Sequence, residues 1–353
     1  MKQVLLFLLP VVIAFTAGSP VSFAPGTDPS IIGRGQMPCV ASDSKGIHLV
    51  YGIGDSLVYQ FSTDKGKSFT GIQLITKLPG LNASATRGPQ IVTTDNGLCV
   101  VASTKAGSVY AFIKGPGGKW LKAVRVTDRD SVDMEGFVSL AGDGHSALFA
   151  IWLDLRHTGK NKIYGSRSAD GGMTWSKNRM VYTSPDTTVC ECCKPSVVMS
   201  RNKVYVLFRN WLNGNRDLYL IQSSNQGQTF GKAEKLGMQS WALNGCPMDG
   251  GGLAVGSNGL PATVWNRKGT IYSCEPGKEE VALGQGRSCS MTIVDGRKVY
   301  AWVENKQVTL LTPKGTKIIL GPGQLPVLQG NENHAVLCFW ESNKQLRYQV
   351  VNL

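Results

Sequence analysis

One apolar pattern recurs seven times along the chain, and this repetition constrains the fold more than any other feature of the sequence. Each copy is a short apolar run, and six of the seven carry an aromatic residue near the end. Those six are IHLVYGIG (47–54), ALFAIWLD (147–154), KVYVLFRN (203–210), LPATVWNR (260–267), KVYAWVEN (298–305) and AVLCFWES (335–342), and the seventh is GLCVVAST (97–104). A further strand is predicted before each copy, beginning near Pro38, Pro89, Gly136, Pro195, Asp249, Ser290 and Pro326. Such self-similarity is typical of folds built from stacked, equivalent units.

The size and composition of these units predict an all-β propeller. The chain has 353 residues, of which 42 are glycine and only 17% are charged, a balance that favours short strands and tight turns over helices. Units of roughly 35 to 60 residues suit four-stranded blades. We expect seven blades in a single domain of residues 21–353, and a six-bladed ring with one unit as an insertion is the alternative. The last unit has room for three strands, so residues 21–32 are expected to supply the fourth and close the ring, which removes open sheet edges.

Three turns carry a more specific pattern. In STDKGKSF (62–69), SADGGMTW (168–175) and SSNQGQTF (223–230), a serine is followed two residues later by Asp or Asn, four residues later by glycine and seven residues later by an aromatic residue. Asp and Asn accept hydrogen bonds from nearby backbone N–H groups, and glycine adopts conformations that a Cβ atom excludes. The pattern resembles the Asp-box, or BNR repeat, of the sialidase-like β-propeller superfamily. This resemblance implies a position between the third and fourth strands of a blade.

The same resemblance raises the question of a sialidase active site. Sialidases of this superfamily hold the sugar carboxylate with three arginines, whose guanidinium groups bind carboxylates in a bidentate manner, and they use an Asp acid/base and a Tyr nucleophile activated by Glu. The sequence lacks the Arg-Ile-Pro motif that supplies the first arginine, and the weak catalytic candidates are Arg34, Arg87, Asp133 and Asp249. Arg156, Arg209 and Arg267 end second strands, where a polar rim explains them equally well. An exo-sialidase or related glycoside hydrolase is therefore the alternative function.

The nine cysteines fall into two groups. Cys99, Cys274 and Cys338 lie among apolar residues inside strands, where cysteine behaves as a small buried hydrophobe. The others lie in loops that lead into first strands, or at the beginning of those strands: Cys39, Cys190, Cys192, Cys193, Cys246 and Cys289. The first strands of a propeller run side by side around the central channel, so we expect these thiols to converge at one channel mouth. Met37, Met134, Met248 and Met291 hold the same position in their units.

The stretch TVCECCKPS (188–196) places three cysteines within four positions. Interpreted as an extended strand, it points Cys190 and Cys192 to the same side, and adjacent cysteines pair only through a strained ring, so local disulfides are disfavoured. Thiolates and thioethers select soft metals, with Cu(I) the first candidate and zinc the next. We therefore predict a copper or zinc site formed by Cys190, Cys192, Cys193, Cys246, Met248 and Asp249. A disulfide clamp from Cys190 or Cys193 to Cys246, in a non-catalytic interaction propeller, and a redox-active thiol remain open alternatives.

The N-terminal residues indicate export. Lys2 precedes an apolar run from Val4 to Phe15, followed by small residues, which is the layout of a signal peptide over residues 1–20 with cleavage between residues 18 and 24. The run is shorter than the roughly 20 apolar residues that span a bilayer. We predict a secreted or periplasmic monomer without a transmembrane segment after cleavage. The formal charge of +13 is scattered without a basic block, which argues against nucleic acid and indicates a solvated cationic surface. The expected ligand at the channel mouth is a metal ion or a glycan.

Overall fold

The computed structural model describes residues 21–23, 28–129, 136–331 and 334–353. The regular structure of these residues consists of strands, with no helix, as predicted for the all-β class. Accordingly, they contain no helix that is long and apolar enough to cross a membrane. In chain order the strands are β1 (Val21–Phe23), β2 (Ser30–Arg34), β3 (Gln36–Asp43), β4 (Gly46–Ile53), β5 (Ser56–Ser62), β6 (Gln73–Lys77), β7 (Gln90–Thr94), β8 (Gly97–Ser103), β9 (Val109–Lys114), β10 (Val124–Arg125), β11 (Ser139–Gly142), β12 (Leu148–Asp154), β13 (Lys162–Ser168), β14 (Arg179–Tyr182), β15 (Ser196–Ser200), β16 (Lys203–Arg209), β17 (Leu218–Ser223), β18 (Glu234–Lys235), β19 (Gly252–Val255), β20 (Pro261–Arg267), β21 (Thr270–Cys274), β22 (Val281–Gln285), β23 (Arg287–Val294), β24 (Arg297–Glu304), β25 (Gln307–Leu311), β26 (Lys317–Pro322), β27 (Gln324–Asn331), β28 (Ala335–Ser342) and β29 (Gln345–Asn352).

These strands form seven sheets, each of which is one blade of a seven-bladed propeller. Blades 1 to 6 each take four consecutive strands, from β3–β6 in blade 1 to β23–β26 in blade 6, and blade 7 combines β27, β28 and β29 with β2. The first strand of each blade contacts the first strand of the next one, around a closed ring that returns from β27 to β3. The seven apolar repeats of the sequence are therefore the second strands of seven blades, and the first strands surround the central channel.

Blade 7 closes the ring with a strand from the N-terminal part of the chain, as predicted. The closing strand is β2, in which Ser30 lies opposite Tyr348 and Arg34 lies opposite Gln345. It begins later than the predicted 21–32, because the residues at 21–23 pair instead, in parallel, with the outer strand β26 of blade 6. The N-terminal part of the described chain thus covers the outer edges of two neighbouring blades.

The recurring aromatic residue of the second strands packs between blades. Trp152, Trp302 and Trp340 are fully buried. The indole N–H of Trp152 donates to Asp154 Oδ2 at 2.8 Å, and that of Trp302 donates to Glu304 Oε2 at 3.3 Å. A carboxylate two residues after the tryptophan therefore satisfies the buried donor in these blades, which explains why the apolar run ends with an aromatic residue and then a polar one.

The three serine-containing turns share one set of hydrogen bonds. In the first turn Ser62 Oγ donates to Asp64 Oδ1 at 2.8 Å, while the N–H groups of Gly66 and Ser68 donate to Ser62 Oγ and Asp64 Oδ1, each at 2.9 Å. The turn with Asp170 repeats this arrangement. The third turn keeps it with an Asn in the Asp position. All three lie between the third and fourth strands of their blades.

The glycine and the aromatic residue of each turn contact the preceding blade. Gly227 has a φ of 80°, and a Cβ atom there would lie 2.3 Å from Phe149 Cε2 in blade 3. Phe230 packs on the same Phe149 ring with centroids 5.6 Å apart. Phe69 of the first turn packs in the same way on Phe339 of blade 7. These turns therefore fasten one blade to the next, which is a structural role.

Replacing Asp170 by alanine is expected to lower the free energy of unfolding by about 1 kcal/mol, because the carboxylate accepts hydrogen bonds from the Ser168 hydroxyl and from the N–H and hydroxyl of Thr174. Asp170→Asn is the matched control, since Asn225 in blade 4 accepts from the equivalent serine hydroxyl and N–H group and donates its amide to the Thr229 hydroxyl. We expect the Asn variant to lose less than half as much. Urea unfolding measures both, and equal losses would contradict the proposed role of these bonds.

Candidate metal centre

The loop between β14 and β15 brings three cysteines together through a turn. Glu191 and Cys192 lie in the turn, and the Cys190 N–H donates to the carbonyl of Arg209 at 3.1 Å. The assumption of an extended strand was therefore wrong, because this hydrogen bond ties Cys190 to the end of β16 before the chain turns back into β15. The turn places Cys190 next to Cys193, three residues later.

The sulfur atoms of these cysteines form a compact group. The Sγ–Sγ distances are 3.1 Å between Cys190 and Cys193, 3.7 Å between Cys190 and Cys192, and 3.9 Å between Cys192 and Cys193. All three atoms lie within 4.8 Å of one another, as a shared metal ion requires. The predicted convergence of this stretch into a potential metal site is thus present in the structure.

A disulfide joins Cys192 to Cys246, which lies in the loop before β19, while Cys190 and Cys193 are free thiols. The disulfide clamp that the sequence left open was expected to join Cys246 to Cys190 or Cys193. That pairing was wrong, because the partner of Cys246 is Cys192. Both of these side chains face inward and are 0% and 2% exposed, whereas Cys246 is exposed to solvent. Only Cys192, on the outer side of the turn, reaches the neighbouring loop.

Arg216 contributes a positive charge next to the buried sulfur atoms. Its Nη1 atom donates to Cys190 Sγ at 3.0 Å and to Glu191 Oε2 at 3.2 Å. The guanidinium lies over the Trp211 ring, 4.4 Å from the centroid, which holds it in place. The arrangement stabilises negative charge on Cys190.

Arg209 holds the surrounding loops together from beneath the cluster. It is 2% exposed, and its guanidinium donates to the carbonyl oxygens of Asp249 at 2.8 Å, Arg216 at 2.7 Å and Asn266 at 2.9 Å. Its own carbonyl accepts the Cys190 N–H, and its guanidinium lies 5.3 Å from the Trp241 ring centroid. The side chain of Arg209 therefore links the segments of Asp249, Arg216 and Asn266, and its backbone carbonyl holds the cysteine loop.

The two free thiols have opposite pKa shifts. Their mutual hydrogen bond, assisted by the charge of Arg216, lowers the pKa of Cys190 to about 7 despite its burial. Burial and the negative charge of Cys190 raise the pKa of Cys193 well above its usual value. A thiolate is therefore accessible at Cys190 near neutral pH, and thiolates are the form of cysteine that binds metals.

A cavity of about 290 Å³ lies between the first strands, and Cys289 is the cysteine that lines it among the described residues. Residues from all seven blades line it, among them Lys194, Met248 and Asp249. Lys194 directly follows Cys193, and the other two follow Cys246 closely. The cysteines of the sulfur group do not themselves line the cavity, and their neighbours along the chain do.

The remaining predicted ligands, Met248 and Asp249, follow Cys246 in the chain. The Asp249 carboxylate accepts the N–H groups of Gly251 and Ser288, each at 3.1 Å, and it is not among the described ligand atoms that cluster within 4.8 Å. Met248 is 47% exposed and lines the cavity. The Cys289 thiol lies 3.8 Å from Asp249 Oδ1, also outside the sulfur group. Asp249 thus orders the loops between blades 5 and 6.

Among the described residues, the weak catalytic candidates do not come together in one site. Arg34 is exposed on β2, the outermost strand of blade 7. The Arg87 guanidinium lies 4.0 Å above the Phe137 ring, and neither arginine lines the cavity. Asp133 lies outside the described residues, as does Met134. Arg156 pairs with Asp154 at 2.7 Å, and Arg267 pairs with a carboxylate of its own blade, so these two arginines belong to a polar rim.

Sequence reasoning missed Arg216, Trp211 and Trp241. They lie in loops that carry no recognisable motif, and their proximity to the cysteines depends on how two loops dock. The Arg216 N–H donates to the carbonyl of Trp241 at 2.9 Å, which joins these loops. An arginine two residues before a strand gives no signal in sequence that it contacts a thiol.

No protein-family model matches the sequence, and neither does any curated protein. Solved structures share the fold. The BP39L lectin from Burkholderia pseudomallei is 8% identical with a TM-score of 0.63, over 90% of this chain and 96% of the lectin. Virginiamycin B lyase from Staphylococcus aureus is 12% identical with a TM-score of 0.54, over 92% of this chain and 99% of the lyase. The NanB sialidase from Streptococcus pneumoniae is 12% identical with a TM-score of 0.47, over 97% and 71% of the two chains. The similarity to the lectin and to the lyase shows the propeller fold and no more.

Proposed function

We propose that this chain is an exported β-propeller that binds one soft metal ion at its channel mouth through the thiolates of Cys190, Cys192 and Cys193. Copper(I) is the first candidate and zinc the second. The observation that carries the proposal is the sulfur geometry, with three Sγ atoms from one loop within 4.8 Å of one another. Export rests on the signal-like residues 1–20, which lie outside the described residues.

The sulfur–sulfur distances fit a metal ion. A metal–thiolate bond of about 2.3 Å requires sulfur atoms roughly 3.8 Å apart in tetrahedral geometry and roughly 4.0 Å apart in trigonal geometry. The distances from Cys192 to Cys190 and Cys193, 3.7 and 3.9 Å, already match. The third distance, 3.1 Å between Cys190 and Cys193, has to widen by less than 1 Å, roughly the amount that a small change of side-chain torsion gives.

The surroundings of the sulfur atoms favour a monovalent soft ion. Three thiolates and one Cu(I) carry a net charge of −2, and burying this charge requires compensating cations. Arg216 lies 3.0 Å from Cys190 Sγ, and Arg209 lies beneath the same loop. Burial of Cys190 and Cys193 excludes water, and thiolate ligands select Cu(I) over harder ions. Zinc fits with a fourth sulfur ligand from Cys246.

Metal content tests the proposal directly. Protein that is reduced with a phosphine, desalted without oxygen and exposed to Cu(I) buffered by a chelator is expected to retain one ion per chain by elemental analysis. Cys193→Ser is expected to weaken the affinity at least about 100-fold, because a hydroxyl replaces a buried soft ligand. Cys99→Ala is the matched control, since Cys99 is a fully buried cysteine inside β8 and outside the sulfur group. Equal metal content in the wild type and Cys193→Ser would contradict the proposal.

The disulfide supports a second candidate function, a non-catalytic interaction propeller whose loops are clamped. The Cys192–Cys246 bond joins the loop before β15 to the loop before β19, so it restrains two neighbouring blades on one side of the channel. A purely structural clamp predicts no metal after reduction, together with a loss of stability. The metal measurement therefore separates the two candidates.

A further inference from the structure

We propose that the Cys192–Cys246 disulfide is a thiol–disulfide exchange site for a dithiol reductant, and that its reduction completes the metal site. The inference about the metal rests on the proposed function, whereas the exchange reaction does not. The same sulfur atom belongs to both arrangements, since Cys192 Sγ is bonded to Cys246 and also lies 3.7 and 3.9 Å from the two free thiols. Cys192 therefore either pairs with Cys246 or serves as the third metal ligand.

The two sulfur atoms of the disulfide differ in access. Cys246 is exposed, Cys192 is half-buried, and the free thiols behind it are buried. An attacking thiolate approaches the accessible sulfur, so exchange begins at Cys246 and the leaving sulfur is that of Cys192. The Cys192 thiolate is then released within the cluster, on the side where Arg216 carries its positive charge.

The reaction balances with the dithiol as the only co-reactant. One thiolate of the reductant attacks Cys246 Sγ, the Cys192–Cys246 bond breaks and its electron pair stays on Cys192. The second thiolate of the reductant then attacks the first sulfur of the reductant, which is bonded to Cys246 in the mixed disulfide, and the Cys246 thiolate is released. The reductant leaves as a disulfide, having supplied two electrons, and its two protons pass to the two cysteines or to solvent.

The oxidised arrangement leaves too few ligands for tight binding. Cys190 and Cys193 alone offer two sulfur atoms 3.1 Å apart, whereas linear two-coordinate binding with bonds of about 2.3 Å requires roughly 4.6 Å between them. Reduction adds Cys192 at distances that already suit a metal. Binding is therefore expected in the reduced protein and not in the oxidised one.

The loop with Cys246 keeps its position without the disulfide. Its Trp241 N–H donates to Asp217 Oδ1 at 2.8 Å, and its carbonyl accepts the Arg216 N–H at 2.9 Å. Arg209 binds the carbonyl of Asp249 at the other end of the loop. These contacts do not involve the cysteines, so reduction changes the ligands of the site while the scaffold remains.

The experiment compares untreated wild type, phosphine-reduced and desalted wild type, and untreated Cys246→Ala. Thiol titration of the unfolded protein is expected to give seven thiols before reduction and nine after it, since seven of the nine cysteines are free. Competition with a Cu(I) chelator is expected to show one tight site in reduced wild type and in untreated Cys246→Ala. Untreated wild type is expected to bind at least about 100-fold more weakly, because it lacks one of three ligands.

A second readout does not depend on metal. In Cys192→Ala the free Cys246 thiol is expected to form a mixed disulfide with oxidised glutathione at least about 10-fold faster than the free Cys192 thiol does in Cys246→Ala, because reactivity follows exposure. Near-UV circular dichroism is the measurement that tests whether both variants are folded. If one variant does not fold, the comparison of untreated and reduced wild type still decides the question.

The outcomes separate the two proposals. Equally tight Cu(I) binding in untreated and reduced wild type would overturn the inference and remove Cys192 from the proposed ligands, while metal binding itself would stand. Nine thiols before reduction would overturn it as well. A rise from seven to nine thiols without metal binding in either state would reject the proposed metal function, while the exchange site at Cys246 would stand. A requirement for reductant in Cys246→Ala would contradict the assignment of Cys192 as the controlled ligand.

Discussion

Replacing Arg209 by leucine is expected to lower the free energy of unfolding by roughly 3–5 kcal/mol and to abolish metal binding. The substitution leaves the carbonyl oxygens of Asp249, Arg216 and Asn266 without their donor, and each buried carbonyl that loses its partner is costly. It also opens a cavity where a 2% exposed side chain packs beneath Trp241. Urea unfolding and metal content measure the two effects.

Arg297→Leu is the matched control for this substitution. Arg297 is exposed at the beginning of β24, so its replacement is expected to change the free energy of unfolding by less than about 0.5 kcal/mol. A loss below 1 kcal/mol in Arg209→Leu, close to that of the control, would show that the loops around the cysteines are held by other contacts. Metal binding that survived in Arg209→Leu would lead to the same conclusion.

Replacing Glu280 by glutamine is expected to destabilise the protein by about 3 kcal/mol at pH 7, and the difference should disappear in acid. Burial alone would raise the pKa of Glu280, but the N–H groups of Met238 and Gln239 and the Arg267 guanidinium at 2.7 Å outweigh it and lower the pKa to about 2. The variant loses the charge that these donors stabilise while it keeps nearly the same shape.

The pH dependence follows from the sign of this shift. The pKa of Glu280 is lower in the folded chain than in the unfolded chain, where it is about 4.3. Its contribution is therefore complete above that value and is lost as the pH falls towards 2. Denaturant unfolding from pH 7 to pH 2 measures the difference, with Glu279→Gln as the control, since Glu279 is the exposed neighbour. A difference between wild type and Glu280→Gln that persisted unchanged at pH 2 would sink this explanation.

The architecture could be predicted because it repeats. Every second strand has to bury one apolar run against the next blade, so the same pattern appears seven times and the blade count follows from it. The closing strand was harder, because residues 21–32 contain two short segments and only their pairing partners decide which one enters blade 7. Both blades offer an open outer edge, and the sequence carries no register signal that separates them.

The sulfur site could be predicted only in part, and the reason is local geometry. Ring closure places the loops before β15 and β19 side by side, so the meeting of Cys192 with Cys246 follows from the fold. The inward direction of Cys190 and Cys193 does not, because it depends on a turn stabilised by the backbone of Arg209. The outward direction of Met248 and the bonding of Asp249 to blade 6 depend on loop conformation in the same way.

The pairing of β2 with β29 has a consequence for biosynthesis. Ser30 and Tyr348 are partners although almost the whole polypeptide separates them. While the chain emerges from the ribosome, six blades can assemble in sequence, but the seventh lacks its outer strand until the two distant segments meet. Completion of the circle therefore requires closure of a loop that contains nearly the whole chain, and until then β29 presents an unpaired edge, the kind of edge that pairs with other chains.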